Sequence, residues 1–212
     1  MTDPALDQLL ASGVIAVLRS HEAKGLTQVA RALHDGGVRA LEITLTTPGA
    51  VAGIAELAHA GDGLLVGAGT VLDDTTARSV LDAGARFVVS PTLEPDVIRV
   101  CRERNVPCIP GAFTPTEILQ AWRAGAALVK LFPAAAVGPG FVRDLLAPLP
   151  FLRIVPSGGV TLDSVGDWIR AGVAAVSLGS ALLGGPTAEL TARARAFVAA
   201  VATARQSMGQ SP

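Results

Sequence analysis

The stretch Arg123-Ala124-Gly125-Ala126-Ala127-Leu128-Val129-Lys130-Leu131-Phe132-Pro133 decides the fold. Gly125 closes a helical pattern and supplies the left-handed turn that ends it. An apolar run follows almost at once, short enough for a buried strand and bounded by Pro133. A glycine-closed helix running into a buried strand is the joint between two βα units. Similar phrases occur at Asp35-Gly36-Gly37-Val38, Asp82-Ala83-Gly84-Ala85 and Arg170-Ala171-Gly172-Val173. Apolar runs begin near Val14, Ala40, Leu64, Phe87, Pro107, Leu128, Arg153 and Ala175, and a helical pattern follows each. The starts are about 20 to 26 residues apart, the length of a compact βα unit.

Eight such units predict a (β/α)8 TIM barrel, one domain over residues 1–212. A short leading helix is expected over 4–12, with Pro4 in its first turn and Gly13 beyond its end. Residues 22–35 read as an amphipathic helix, and a last helix is expected at roughly 187–205 with a frayed tail over 206–212. The competing architecture is a doubly wound open sheet. Gly67-Ala68-Gly69-Thr70 resembles the start of a dinucleotide loop, but Leu72 occupies the third glycine's place. The count of eight favours the barrel.

Half of the 212 residues are apolar, ample for a core, and the net charge of -1 leaves no basic field for nucleic acid. Cys101 and Cys108 have neither metal-ligand spacing nor the numbers of a disulfide framework, so reduced thiols and a cytoplasmic protein are expected. The start, Met1-Thr2-Asp3-Pro4, is acidic and no signal-type apolar run follows. No window reaches the roughly 18 continuous apolar residues of a membrane span.

Of the 17 basic residues only Lys24 and Lys130 are lysines. An amine can lose its proton and attack a carbonyl, whereas a guanidinium cannot. Burial favours the uncharged, nucleophilic amine. Lys130 is therefore either a Schiff-base nucleophile or a lysine whose stem lies in the core and whose head reaches water. Catalytic groups of a barrel come from strand C-terminal ends, and the polar residues of the runs gather there. Strand 2, Leu41-Glu42-Ile43-Thr44-Leu45-Thr46, alternates so that Glu42, Thr44 and Thr46 share the face opposite Leu41, Ile43 and Leu45. Glu42 is the natural partner for Lys130, as a general acid/base or as half of a structural ion pair. Arg19 ends strand 1, Thr70 strand 3 and Ser90-Pro91 strand 4. Phe132 shares the inner face with Lys130, either packing over an intermediate or filling the core. Thr44, Thr46 and Thr70 bind substrate oxygens or neighbouring backbone.

Ser157-Gly158-Gly159-Val160, with Thr161 at a helix start, reads as a phosphate cup. Gly179 and Ser180, after strand 8, complete it, an ordinary tight turn being the plainer reading. His34 and His59 lie on helices away from the strand ends, and His21, close after Arg19, leaves a place at the pocket rim open. No set of His, Asp and Glu has metal-ligand spacing, so no metal is expected, and an imine on Lys130 would itself serve as electron sink, so no organic cofactor is expected either.

These stretches resemble the bacterial 2-keto-3-deoxy-6-phosphogluconate (KDPG/KHG) aldolase family. The likeness runs through Gly36-Gly37-Val38, Leu41-Glu42-Ile43-Thr44, Val66-Gly67-Ala68-Gly69-Thr70-Val71 and Val89-Ser90-Pro91. It continues through Ile109-Pro110-Gly111, Thr114-Pro115-Thr116-Glu117, Val129-Lys130-Leu131-Phe132-Pro133, Pro156-Ser157-Gly158-Gly159-Val160 and Gly179-Ser180. The resemblance implies a class I aldolase that splits 2-keto-3-deoxy-6-phosphogluconate into pyruvate and glyceraldehyde 3-phosphate. It implies Lys130 as the Schiff-base lysine and Glu42 as acid/base through a water. Thr70 and Pro91 would lie near the pyruvate moiety, Phe132 against the intermediate, and Gly158, Gly159 and Ser180 at the phosphate. It also implies a homotrimer. Many members carry arginine at the place of Thr46, where it binds the substrate carboxylate; here Arg19 is the candidate cation. Many also carry threonine at Ser157. The change at Thr46 opens the C6-phosphorylated galactonate epimer and 4-hydroxy-2-oxoglutarate as substrates. Two other classes compete: a phosphate-binding barrel isomerase or synthase, and a non-catalytic sugar-phosphate binding domain.

Overall fold

Nine short parallel strands and ten α-helices run largely in alternation along the described residues, 3–20, 25–60 and 63–209 of a computed structural model. The strands are β1 (Val14–Leu18), β2 (Ala40–Thr44), β3 (Leu65–Gly69), β4 (Val88–Val89), β5 (Cys108–Ile109), β6 (Gly111–Ala112), β7 (Val129–Leu131), β8 (Ile154–Pro156) and β9 (Val176–Leu178). The helices are α1 (Pro4–Ser12), α2 (Leu26–Asp35), α3 (Ala50–His59), α4 (Asp74–Asp82), α5 (Pro95–Glu103), α6 (Pro115–Ala124), α7 (Gly138–Leu146), α8 (Val165–Arg170), α9 (Ser180–Leu183) and α10 (Leu190–Gly209). All strands but β6 begin within one residue of the positions read from the sequence. The helix expected over 22–35 is described from Leu26 onward.

The strands form a curled parallel sheet in two hydrogen-bonded pieces. Six pair in the order β5-β4-β3-β2-β1-β9, and three in the order β6-β7-β8. The break falls at Pro110, which has no N–H to donate. Its carbonyl still accepts from Lys130 N at 2.9 Å, and Gly111 and Ala112 continue on the other side as β6. Strand 5 thus runs past Pro110, where the sequence suggests an end. A bridge between Ser157 and Ser177 links the ends of β8 and β9.

Alternation sorts the apolar residues into two layers. Leu41, Ile43, Val66, Ala68, Val129, Leu131, Val176 and Leu178 face the helices and pack with Leu33, Ile54, Val97, Ile118 and Phe197. Ile15, Ala40, Leu65, Phe87, Ile109, Leu128, Val155 and Ala175 face the other way and meet Ala5 and Leu9 of α1. The leading helix therefore covers the N-terminal end of this inner layer. Asp3 caps it by accepting from Ala5 N, and Gly13 ends it at φ 65°.

Three boundaries differ from the reading. Strand β2 stops at Thr44, because Thr47 N turns back to donate to the Thr44 carbonyl at 2.9 Å. Thr46 consequently sits exposed in a turn and does not extend the inner face. α10 reaches Gly209, beyond 205, since no breaker interrupts Gln206-Ser207-Met208 and Ser207 Oγ donates to Ala204 O. Third, the segment after Gly159 is not yet helical at Thr161. Thr161 and Ser164 exchange side-chain and backbone hydrogen bonds instead, and α8 starts only at Val165.

Cys101 and Cys108 are buried and unpaired with each other by a disulfide; contact with Cys101 together with burial holds the Cys108 thiol well above its ordinary range. No helix among the described residues is long and apolar enough to cross a membrane.

Candidate active site

Lys130 lies in the middle of β7, between Val129 and Leu131, which both turn outward into the helix-facing layer. Its own side chain therefore turns inward and is only 10% exposed. Glu42 occupies the corresponding inward position on β2, between Leu41 and Ile43, with a side chain 2% exposed. The Lys130 Nζ and Glu42 Oε1 atoms are 3.9 Å apart. That separation permits strong electrostatic attraction but exceeds hydrogen-bond length, so a third atom is needed to pass a proton between them.

Burial dominates the chemistry of Glu42 and pushes its carboxyl above the ordinary carboxylate range; Lys130 and, less strongly, Arg19 pull it back. A carboxyl raised in this way can hold and release a proton nearer neutrality, as acid/base work requires. Gly69, the last residue of β3, makes room for it. A methyl group at Gly69 would stand 2.6 Å from Glu42 Cδ. The neighbouring Thr70 has φ 61°, a left-handed conformation that a β-branched residue rarely adopts. Backbone strain of this kind concentrates at functional sites.

The rim is built from the segments after β4, β6, β7 and β8. Phe132 is 39% exposed and its ring centroid is 5.3 Å from Lys130 Nζ. Its ring also faces Gly158, where an added Cβ would be 3.5 Å from Cε2. Ala134 N donates to Ser157 O and Ala135 N to Gly158 O, each at 2.9 Å, which ties the loop after Pro133 to the glycine loop. Gly158 and Gly159 have φ of 83° and 85° and are exposed, while Ser157 is buried. Gly159 also packs so closely on Ala135 that a Cβ would collide with it. Pro91 is half-buried and its carbonyl lies against Gly111. Gly179 and an exposed Ser180 follow β9, whose end adjoins β8 through the Ser157–Ser177 bridge. Because α8 begins at Val165, donors near Gly158 and Gly159 are those of loop and turn, not of a helix start.

Arg19 is exposed just beyond β1 and feels Glu42 through the electrostatic coupling noted above. It lines a cavity of about 170 Å³ together with Leu26, Leu183, Thr187 and Arg193. A larger cavity, about 300 Å³, lies between α2 and α3 around His34 and Leu57, away from Lys130. Thr44 and Thr47 are buried among their own partners. Thr44 Oγ1 donates to Leu18 O at 3.2 Å and lies 2.9 Å from Thr46 Oγ1, and Thr47 Oγ1 accepts from Ser20 N at 3.1 Å. These hydroxyls brace the strand ends, the plainer of the two readings. His21 lies outside the described residues.

Sequence reading missed two residues. Ser177 interrupts the apolar run Ala174-Ala175-Val176-Ser177-Leu178 at an inward position, and that interruption is its signal. Gly69 was legible only as part of a glycine pair; its contact with Glu42 depends on how β2 and β3 pair, Glu42 opposite Gly67 and Thr44 opposite Gly69.

The chain as a whole is similar to several known proteins. The probable 2-dehydro-3-deoxy-6-phosphogalactonate aldolase of Rhizobium meliloti is 39% identical over 171 residues, 80% of this chain and 81% of that protein. The 2-dehydro-3-deoxy-phosphogluconate aldolase of Treponema pallidum is 38% identical over 157 residues, 74% of this chain and 75% of that protein. The KDPG aldolase of Legionella pneumophila, solved with pyruvate captured at low pH as a covalent carbinolamine intermediate, superposes with a TM-score of 0.79 at 27% identity. That superposition covers 93% of this chain and 97% of that one. The family model described as KDPG and KHG aldolase matches residues 6–195, and the chain belongs to that family.

Proposed function

We propose that this protein is a class I aldolase, a lyase that cleaves 2-keto-3-deoxy-6-phosphogluconate to pyruvate and glyceraldehyde 3-phosphate, and that also acts on 4-hydroxy-2-oxoglutarate. The observation that carries the reading is the inward pair Lys130 and Glu42, 3.9 Å apart, with the Glu42 carboxyl raised by burial. In the reaction the uncharged Lys130 amine attacks the C2 ketone to give a carbinolamine. Glu42 supplies a proton, water leaves, and a protonated imine forms. Glu42, left ionised by the dehydration, takes the C4 hydroxyl proton, the C3–C4 bond breaks, and the electron pair passes to the imine nitrogen, leaving an enamine and the aldehyde. Glu42 returns a proton to C3, and water hydrolyses the imine to release pyruvate and Lys130. Phe132 packs over the adduct, and Thr70 and Pro91 flank the pyruvate part. Arg19 supplies the cation for the substrate carboxylate. Ser157, Gly158, Gly159, Gly179 and Ser180 hold the phosphate, whose binding orients the scissile bond from a distance.

The architecture in this reading is one domain, a closed (β/α)8 barrel in which β5 and β6 serve as one strand. The pairing register supports closure. In an eight-stranded barrel of shear 8, level positions climb one residue per strand against the register. From Lys130 this rule leads to Ser177 on β9, Glu42 on β2 and Val89 on β4, and returns to Lys130. A homotrimer and a cytosolic location complete the proposal, the latter consistent with the two free cysteines.

A second reading has its own support. The Rhizobium meliloti relative is named for the phosphogalactonate epimer, and Thr46 leaves an exposed hydroxyl where many members have arginine. Purified protein incubated with each C4 epimer, with pyruvate followed by a coupled dehydrogenase, tests both readings. Cleavage of either that is lost in Lys130→Met supports the aldolase. A larger kcat/KM for the galactonate epimer selects the second reading, and no pyruvate from either, nor from 4-hydroxy-2-oxoglutarate, refutes both.

A further inference from the structure

We propose that Ser177 is a positioning residue of the aldol reaction, holding the water through which Glu42 exchanges protons with the Lys130 adduct. The inference rests on the aldolase and closed-barrel reading above. Ser177 is 3% exposed, and its Oγ finds no hydrogen-bond partner among the described residues. Buried hydroxyls are normally satisfied, and an exception calls for a cause. The neighbouring buried hydroxyls follow the rule: Thr44 bonds Leu18 O, Thr47 accepts from Ser20 N, and Ser90 donates to Thr92 O.

The place of Ser177 supplies the cause. Val176 and Leu178 on either side of it belong to the helix-facing layer, and Ala175 to the inner one, so Ser177 faces inward. It pairs in register with Ile15 on β1 and bridges to Ser157, the residue after β8. A layer of barrel interior takes four side chains from alternate strands. The register places Lys130, Ser177, Glu42 and Val89 in one such layer, with Ser177 between the two reacting groups in ring order. Val89 is apolar and offers no hydrogen bond. Lys130 Nζ and Glu42 Oε1 at 3.9 Å are too far apart for a direct bond. A water at hydrogen-bond distance from both must stand to one side of the line joining them. Ser177 approaches from the layer position between them and can bond that water as a third anchor, which satisfies its own hydroxyl at the same time.

Its part in the chemistry is to orient. When the carbinolamine collapses, Glu42 gives a proton to the water, the water gives one to the departing hydroxyl, and the C–O bond breaks to leave the protonated imine and a new water. Ser177 gains and loses nothing in the step.

The test compares wild type, Ser177→Ala and Ser177→Thr by steady-state cleavage, by the rate at which pyruvate and borohydride trap the lysine, and by thermal midpoint. Removing one ordinary hydrogen bond from the transition state is expected to lower kcat and the trapping rate about tenfold in Ser177→Ala. KM is expected to stay within about twofold, the midpoint not to fall, and Ser177→Thr, which keeps the hydroxyl, to recover most of the rate. A Ser177→Ala protein with wild-type kcat and trapping rate overturns the assignment. So does a rise in KM at constant kcat, which would make Ser177 a ground-state substrate contact. Wild-type protein that forms no trapped adduct at all overturns the aldolase reading itself, which distinguishes the two failures.

Discussion

Replacing Gly69 by alanine tests whether the position of the Glu42 carboxylate, and not merely its presence, carries the reaction. The new Cβ would lie 2.6 Å from Glu42 Cδ and 2.7 Å from Cγ. Ordinary contact begins near 3.4 Å, so Cδ alone must retreat by about 0.8 Å, and Oε1, which the new Cβ would meet first, by more. Glu42 is fully enclosed and has little room to take that displacement freely. Overpacking of this size costs about 1–3 kcal/mol, or a lowering of the thermal midpoint by about 2–4 °C for each kcal/mol in a chain of this length. The larger effect falls on rate, because misplacing a reacting group by about 1 Å costs on the order of a hundredfold. The expected outcome is a folded Gly69→Ala protein whose kcat/KM for pyruvate release is down about a hundredfold. Gly67→Ala is the control. It sits on the same strand, but the atoms nearest its Cβ would be those of the Phe87 ring, at 2.5 Å, and not those of Glu42. It is expected to lose stability while the folded protein keeps most of its turnover. Near-wild-type kcat/KM in folded Gly69→Ala, or equal losses in the two variants, would refute the reasoning.

Three further outcomes are expected. The acid limb of kcat/KM lies above the ordinary carboxylate range because burial raises Glu42. Arg19→Ala removes a cation that favours the charged form, so the Glu42 pKa rises further and the limb moves to higher pH. A pH–rate profile at low salt reads this, and a shift to lower pH would contradict the coupling; high salt should shrink the shift because Arg19 is exposed. Gly159→Ala places a side chain at φ 85° against Ala135, and is expected to raise KM about tenfold for a phosphorylated substrate. It should leave 4-hydroxy-2-oxoglutarate, which has no phosphate, nearly unaffected, and equal effects on both would remove the glycine loop from phosphate binding. Lys130→Met leaves Glu42 buried without its nearest cation, so Glu42 is expected to stay protonated to higher pH, seen as an upward move in a carboxyl titration by infrared or NMR. A lowered Glu42 pKa in that variant would show that Lys130 does not stabilise the carboxylate.

Local pattern revealed the frame. Glycine-closed helices and apolar runs locate eight of the nine strand starts to within one residue, β6 excepted, since both signals arise from a few consecutive residues. The inward pairing of Glu42 and Lys130 was legible for a related reason: each is the lone charge in an alternating run, and alternation assigns a face. What escaped was set by approach between distant segments. The turn at Thr47 shortens β2 and removes Thr46 from the inner face. Pro110 divides one strand's pairing between two sheets without ending it. Thr161 and Ser164 satisfy each other and delay α8. Gly69 matters because of Glu42 on the next strand, and Ser177 because of registers spread over the whole chain.

The most direct measurement is reduction of the pyruvate-treated protein with borohydride, followed by peptide mapping of the modified residue. The account expects one covalent adduct per chain, on Lys130, and none on Lys24 or in Lys130→Met. Full aldolase activity with no adduct at Lys130, or with the adduct on another residue, would contradict it.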